Sequence, residues 1–302
     1  MTLPPDVRAG VEQALAQRTG RDVRVSGVRA VGGGCISPAA RVETDAGDLL
    51  FLKWGSGSGT PAGLFEAEAR ALAALAAARA VRVPEVVATA GPDAGAPWLL
   101  LEWLEPGAPD ARTWPELGRA LAALHRVRAE RYGWPEDNFI GSLPQANGWA
   151  ASWAAFWRER RLLPQLERAV RAGHFDARAR RRFDALLGRL DALLAEAEAD
   201  GASLLHGDLW SGNVHVLAGG EAALIDPSAY HGHREVDLAM SELFGGFGTG
   251  FHEAYREAWP LAPGYAEVRR PIYQLYYLLV HVNLFGAAYV GGTLARLGAV
   301  QV

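Results

Sequence analysis

Residues 204–226 read LLHGDLWSGNVHVLAGGEAALID, and the rest of the chain is best read outward from them. Asp208 is followed by Asn213 five residues on, and by Asp226 thirteen after that, between short apolar runs. Phosphoryl transfer from ATP asks few groups of a protein. One carboxylate orients and deprotonates the attacking hydroxyl, and oxygen ligands hold Mg²⁺ on the phosphates. An Asp-x4-Asn pair followed by an Asp at the end of an apolar strand supplies that set, with Asp208 as base and Asn213 and Asp226 as metal ligands.

The upstream partner is visible in the lysine census. The 30 basic residues include a single lysine, Lys53, within the strand-like run LLFLKW. Where arginine has replaced lysine everywhere else, the survivor marks a place for a compact ammonium, which suits phosphate oxygens. Glu66 and Glu68 lie on the helical segment that follows. They sit two apart and face different ways, so one can pair with Lys53. Glu68 is the expected partner, leaving Glu66 to face solvent. Before Lys53, Gly32-Gly33-Gly34-Cys35-Ile36-Ser37 lies between two strand candidates. Its glycines let backbone N–H groups approach phosphates, and Ser37 adds a hydroxyl. No Gly-Lys-Ser/Thr follows, so it is not a Walker A loop. Glu102-Trp103-Leu104 ends the last early strand, a crossover where the backbone groups of Glu102 and Leu104 can pair with adenine.

Composition narrows the class. At 302 residues, half of them apolar and about a fifth charged, the chain can build a large core. A net charge of −4 offers no basic field for nucleic acid. One cysteine, Cys35, excludes an intramolecular disulfide and fits a reducing compartment. The N-terminus has no apolar h-region, so a cytoplasmic protein is expected. Residues 272–290 are long enough to span a bilayer, but Gln274, His281 and Asn283 interrupt them, so a buried core helix is expected and no membrane.

Periodicity gives the organisation. A helix over 5–18 precedes strands over 23–31, 40–45 and 49–54, then a helix over 64–79 and strands over 85–90 and 98–104. Helices dominate thereafter. Thr113-Trp-Pro-Glu116 has capping-box spacing, and Leu117, Leu121 and Leu124 fall on one helical face. The expectation is an α+β, two-lobed protein: an antiparallel-sheet nucleotide lobe over 1–104 and a larger helical catalytic lobe over 105–302.

Trp210 stands two residues after the proposed base. An aromatic ring there suits a sugar-like or amine acceptor, through apolar and cation–π contact, better than a peptide hydroxyl. Asp226 is followed by Pro-Ser, which argues against a flipping activation segment. His206 reads as a structural loop residue, and Asp237 as a group that caps or anchors a helix beneath the catalytic loop. His231, His233 and Glu235 read as loop-structuring groups, since nothing nearby completes a zinc site.

With these residues in place, the chain resembles the fructosamine/ketosamine-3-kinase family, within the aminoglycoside-phosphotransferase branch of protein-kinase-like folds. GGGCIS (32–37), LFEAE (64–68), DNFIGSLPQANGW (137–149), HGDLWSGN (206–213), IDPSAYHGHREVDLAM (225–240) and LFGGF (243–247) carry the likeness. The resemblance implies ATP- and Mg²⁺-dependent phosphorylation of the 3-hydroxyl of a ketoamine, free or protein-bound. It implies Asp208 as base, Asn213 and Asp226 as metal ligands, Lys53 on the phosphates and Glu68 beside it. One departure is Pro38, which lacks an N–H at the edge of the glycine loop. Other readings are a choline, aminoglycoside or homoserine kinase of the same fold, and a catalytically silent nucleotide-binding module. A monomer is expected, and a Cys35-linked dimer is compatible with the sequence.

Overall fold

A computed structural model describes residues 2–32, 37–55, 59–91 and 95–300. Helix α1 (Pro5–Thr19) leads into strands β1 (Val25–Ala30), β2 (Ala39–Thr44) and β3 (Leu49–Trp54). Helix α2 (Leu64–Ala78) and strands β4 (Val86–Ala90) and β5 (Trp98–Glu102) follow. The five strands form one antiparallel sheet in the order β1-β2-β3-β5-β4.

Both faces of this sheet are covered, which is why β5 reads as the unbroken run WLLLE rather than an alternating one. Trp98 and Leu100 pack with Leu50, Leu52 and Trp54 against Val7, Val11 and Leu15 of α1. Leu99 and Leu101 face the other way, into a core shared with Phe65, Leu72 and Leu75 of α2. Lys53 alternates with Leu52 and Trp54, so its side chain leaves the strand on the α2 side.

After β5 come α3 (Thr113–His125) and the short strands β6 (Arg128–Ala129), β7 (Asn138–Ile140) and β8 (Leu143–Gln145). Helices α4 (Trp153–Phe156) and α5 (Leu163–Arg171) are joined through a π turn at Trp157–Leu162. Next are α6 (Ala177–Leu187), α7 (Leu190–Leu193), α8 (Ala195–Asp200) and β9 (Ala202–Leu205). The hairpin β10 (Val214–Val216)–β11 (Ala222–Leu224) and strand β12 (Tyr230–Gly232) precede α9 (Glu235–Leu243), α10 (Phe251–Ala258), α11 (Arg270–Phe285) and α12 (Val290–Ala299). The result is the bilobal, protein-kinase-like α+β arrangement expected.

The central core joins the two parts. Leu117, Leu121 and Leu124 of α3 meet Leu204, Leu209, Leu224 and the underside of β5. The segment after β5 is stitched to the β10–β11 hairpin by three bonds: Gly107 N–H to Val216 O (2.8 Å), Ala218 N–H to Glu105 O (2.8 Å), and His215 Nε2 to Leu104 O (3.0 Å).

Three expectations are corrected. The cap of α3 lies one turn earlier than Thr113–Glu116. Asp110 accepts the N–H groups of Arg112 and Thr113, while Thr113 Oγ1 accepts the N–H of Asp110. That is a reciprocal box over 110–113, and it uses Thr113 as the far partner. Glu66 is half-buried rather than solvent-facing, and its Oε2 is enclosed without a hydrogen bond among the described residues. The core reading of 272–290 holds only for its first part. Ile272–Val280 and Val282 are buried, but Phe285 is 53% exposed and the helix breaks at Gly286, where φ is 78°. The helical stretch Tyr265–Ala299 has the length and apolarity to cross a membrane.

Candidate active site

Lys53 and Glu68 come together because strand and helix each turn one side chain to the same space. On α2, Phe65, Leu72 and Leu75 form the inward stripe, and Glu68 falls on it, three residues after Phe65 and four before Leu72. An acid on an apolar stripe needs a partner. Lys53 Nζ donates to Glu68 Oε1 at 2.8 Å and also to Asp226 Oδ1. Burial alone would lower the Lys53 pKa, but the carboxylates of Asp226 and Glu68 overcome it and raise it. Burial pushes the Glu68 carboxyl up, with Lys53 opposing.

The loop bearing Asp208 is built around backbone groups. Asp237, fully buried in the first turn of α9, accepts the N–H of His206 at 2.7 Å and of Gly207 at 2.9 Å. His125 Nε2 lies 3.2 Å from the same carboxylate. Tyr277 donates its hydroxyl to the Gly207 carbonyl at 2.8 Å. Gly207 has φ of 84°, and a Cβ there would lie 2.2 Å from Ser228 O, so only glycine fits. His206 Nδ1 accepts the Asp208 N–H, and its Nε2 meets Ile225 O at 2.9 Å. Both ring nitrogens are thereby occupied in the loop, and burial keeps the imidazole neutral by lowering its pKa. This is the structural role expected for His206.

Asn213 Nδ2 donates to the Asp208 carbonyl at 2.8 Å and to Asp208 Oδ2 at 3.2 Å. With its amide nitrogen committed, Asn213 keeps its Oδ1 for another partner. Ile225 N–H binds Asn213 O at 3.0 Å, which draws Asp226 to the same place. Burial and the neighbouring Asp226 push the Asp208 carboxyl up to about 7, with the Asn213 bond opposing. A carboxylate poised near neutrality is suited to accept a proton.

The oxygens of Asn213 and Asp226 fit a hard divalent cation, the second Asp226 oxygen being left by Lys53 and the side chain 40% exposed. No group of three or more His, Cys, Asp or Glu side chains forms a metal cage among the described residues. A cation here would complete its shell from phosphate and water.

Trp210 is half-buried against the larger core, its ring lying across Gly212, where a Cβ would come within 2.3 Å of the indole. Gly212 is thus required by the ring, a constraint that the sequence pattern leaves unmarked. At the crossover, the Glu102 N–H is used by Glu85 O, and its carboxylate pairs with Arg82. The Leu104 carbonyl is taken by His215. These three groups are therefore committed within the protein, which narrows the adenine contacts expected there. Gly32 borders open space and Ser37 is half-buried. Gly33, Gly34 and Cys35 lie outside the described residues.

The remaining candidates are placed elsewhere. His233 bonds Asp200 and Tyr273, and Glu235 pairs with Arg269. His231 sits between Trp134 and Trp149.

The sequence model of the fructosamine kinase family matches residues 8–299. The chain belongs to the fructosamine kinase family. It is 41% identical to a probable ketoamine kinase of Synechocystis, over 92% of each chain. It is 37% identical to a chloroplastic protein-ribulosamine 3-kinase of Arabidopsis thaliana, covering 89% of this chain and 81% of that one. The crystal structure of a putative fructosamine-3-kinase from Thermobifida fusca superposes with a TM-score of 0.84 at 37% identity, over 96% of this chain and 97% of that one. Family membership makes this chain an ATP-dependent kinase.

Proposed function

We propose that this kinase transfers the γ-phosphoryl group of ATP to the 3-hydroxyl of ketoamines, the reaction that leads to deglycation. The observation that carries this reading is the meeting of four groups: Asn213 bonds Asp208, Lys53 bonds Asp226, and the Asp208 and Asp226 carboxylates interact, with Trp210 two residues from Asp208. Membership of the fructosamine kinase family supports it.

In this reading Asp208 accepts the proton of the acceptor hydroxyl as its oxygen attacks the γ-phosphorus, and ADP leaves on the opposite side. Asn213 and Asp226 hold Mg²⁺, which when bound neutralises phosphate charge. Lys53 leaves Asp226 for the phosphates and stays tethered to Glu68. Trp210 presents its ring to the ketoamine and orders it over Asp208.

The test is phosphorus NMR of mixtures containing the protein, Mg-ATP and fructosamine, ribulosamine or erythrulosamine adducts of one small amine. A phosphomonoester signal coupled to the C3 proton is expected. ATP left unchanged, or hydrolysed with no sugar phosphate formed, would sink the assignment.

A further inference from the structure

Asp226 adopts φ of 55°, a left-handed backbone that a non-glycine residue keeps only when its surroundings impose it. The loop after it provides the cause. The Ser228 carbonyl accepts from Gln145 Nε2 at 3.3 Å, and the Ala229 carbonyl from Asn138 Nδ2 at 2.9 Å. Asn138 Oδ1 in turn accepts from Gln145 Nε2 at 2.8 Å and from Asn147 Nδ2 at 2.9 Å. Behind these amides stand the Arg161 guanidinium, which can only donate, and the Tyr276 hydroxyl. Arg161 donates to Asn147 Oδ1 at 2.8 Å, and Tyr276 donates its hydroxyl to Gln145 Oε1 at 2.6 Å.

The polarity of the relay follows from its ends. A guanidinium can only donate, so it turns the Asn147 oxygen towards itself and the Asn147 nitrogen towards Asn138. Gln145 is turned by its other neighbours: the Ser228 carbonyl and Asn138 Oδ1 can only accept, so they face its Nε2 and leave its Oε1 to the Tyr276 hydroxyl. Asn138 is then left with its nitrogen facing Ala229, and neither Asn138 nor Gln145 can flip without orphaning buried groups. Asn138, Gln145, Asn147, Arg161 and Tyr276 are each 5% exposed or less. Arg161 has no acidic partner among the described residues. It binds the Ala146 carbonyl at 2.6 Å and lies 4.0 Å from the Tyr230 ring centroid. The π turn at Trp157–Leu162 contains it, an irregularity of the kind that recurs at functional sites. The relay also reaches the Asp208 loop, because the Ser228 carbonyl packs where a Gly207 side chain would be.

We propose that Asn138, Gln145, Asn147, Arg161 and Tyr276 are positioning residues for Asp226. Their one-way hydrogen bonds hold the 226–229 loop in its metal-binding form without any phosphorylated activation segment. This rests on the reading of Asp226 as a metal ligand. It also gives a role to the 137–149 motif, which touches none of the reacting groups.

The test is calorimetric titration of ADP into the full chain across a Mg²⁺ series, for the parent, Asp226→Asn, Asn138→Ala and Tyr276→Phe, with hydrogen exchange of 226–230 in metal-free protein. Tyr276→Phe keeps the ring and its packing, so it decides the matter if Asn138→Ala does not fold. The expected result for the relay variants is unchanged metal-free ADP affinity, a roughly 5- to 10-fold higher Mg²⁺ requirement that excess Mg²⁺ overcomes, and faster exchange of the loop. Parent-like Mg²⁺ dependence and exchange in Tyr276→Phe, with Asp226→Asn losing the metal effect, would overturn the relay alone. A metal effect that survives in Asp226→Asn would overturn the metal-ligand reading, and the relay with it.

Discussion

Lys53 and Asp226 lie 173 positions apart and are joined by a hydrogen bond, with Glu68 on the other side of the ammonium at 2.8 Å. One cation between two carboxylates leaves a net negative charge in a largely enclosed space. The arrangement suits the arrival of a metal–nucleotide complex, which supplies positive charge to Asp226 and phosphate oxygens to Lys53.

Lys53→Arg is therefore expected to fail as a conservative change. The guanidinium is broader and cannot place a point charge between Glu68 and the phosphates. Steady-state kinetics should show kcat/KM for ATP reduced by roughly 100-fold, close to the loss in Lys53→Met.

Asp208→Asn keeps the size of the side chain and removes the proton acceptor. Turnover should fall by roughly 100- to 10,000-fold, while ADP affinity measured by calorimetry stays within a few-fold of the parent. Retained turnover would remove Asp208 from the chemistry.

Trp210→Ala should act on the acceptor. A lost ring contact of about 1.4 kcal/mol corresponds to a roughly tenfold rise in KM for the ketoamine, with KM for ATP little changed. Trp210→Phe should recover part of it, and equal losses in both KM values would argue that the ring is structural.

Asp237→Asn probes the loop without touching substrate. Its carboxylate accepts two backbone N–H groups, and an amide at that site turns one donor against another. A stability loss of about 1–3 kcal/mol is expected in denaturant unfolding, together with lower turnover.

Acidification should destabilise the protein through its buried histidines. Burial lowers the pKa of His125 and His206, and carries His231 down to about 4. The folded pKa lies below the unfolded one, so the unfolded chain takes up protons first as pH falls. Stability is fully present above the unfolded histidine value near 6.5 and is lost as pH drops towards 4, by at most about 1.4 kcal/mol per unit for each such group. Half-buried His231 contributes less than that limit because solvent screens it. The raised carboxyls of Asp208 and Glu68 act in the opposite sense over the same range, so the comparison is with His231→Gln. Its thermal midpoint relative to the parent should be higher at pH 5 than at pH 7.5, and an unchanged difference would contradict the histidine contribution.

Much of this molecule is legible along the chain, because the signals concerned are local. Short apolar and β-branched runs broken by Gly and Asp mark β2 and β3, and the apolar run WLLLE marks β5. The Ala-, Leu- and Glu-rich run over 64–79 marks α2. Glu66 and Glu68 sit two apart on it and face different ways, so the sequence offers one of them to Lys53. The spacing of Asp208, Asn213 and Asp226 and the solitary Lys53 are likewise readable, as chemistry at fixed offsets.

Other features depend on groups that meet only after folding. Asp110 caps α3 instead of the Thr113–Glu116 pair, because its carboxylate reaches the helix N–H groups first. Glu66 is half enclosed where helix spacing alone turns it outward. Asp237 reaches back thirty-one and thirty residues to the amides of His206 and Gly207. Arg161 looks like one more surface arginine in a basic stretch, yet the π turn and the aromatic rings around it bury it completely. Sequence determined which groups are proposed for the chemistry, since residue type and near-neighbour spacing nominate them. Only the tertiary structure decided which backbone groups are held in place, because a hydrogen bond between residues thirty or more positions apart leaves no periodic trace in the chain.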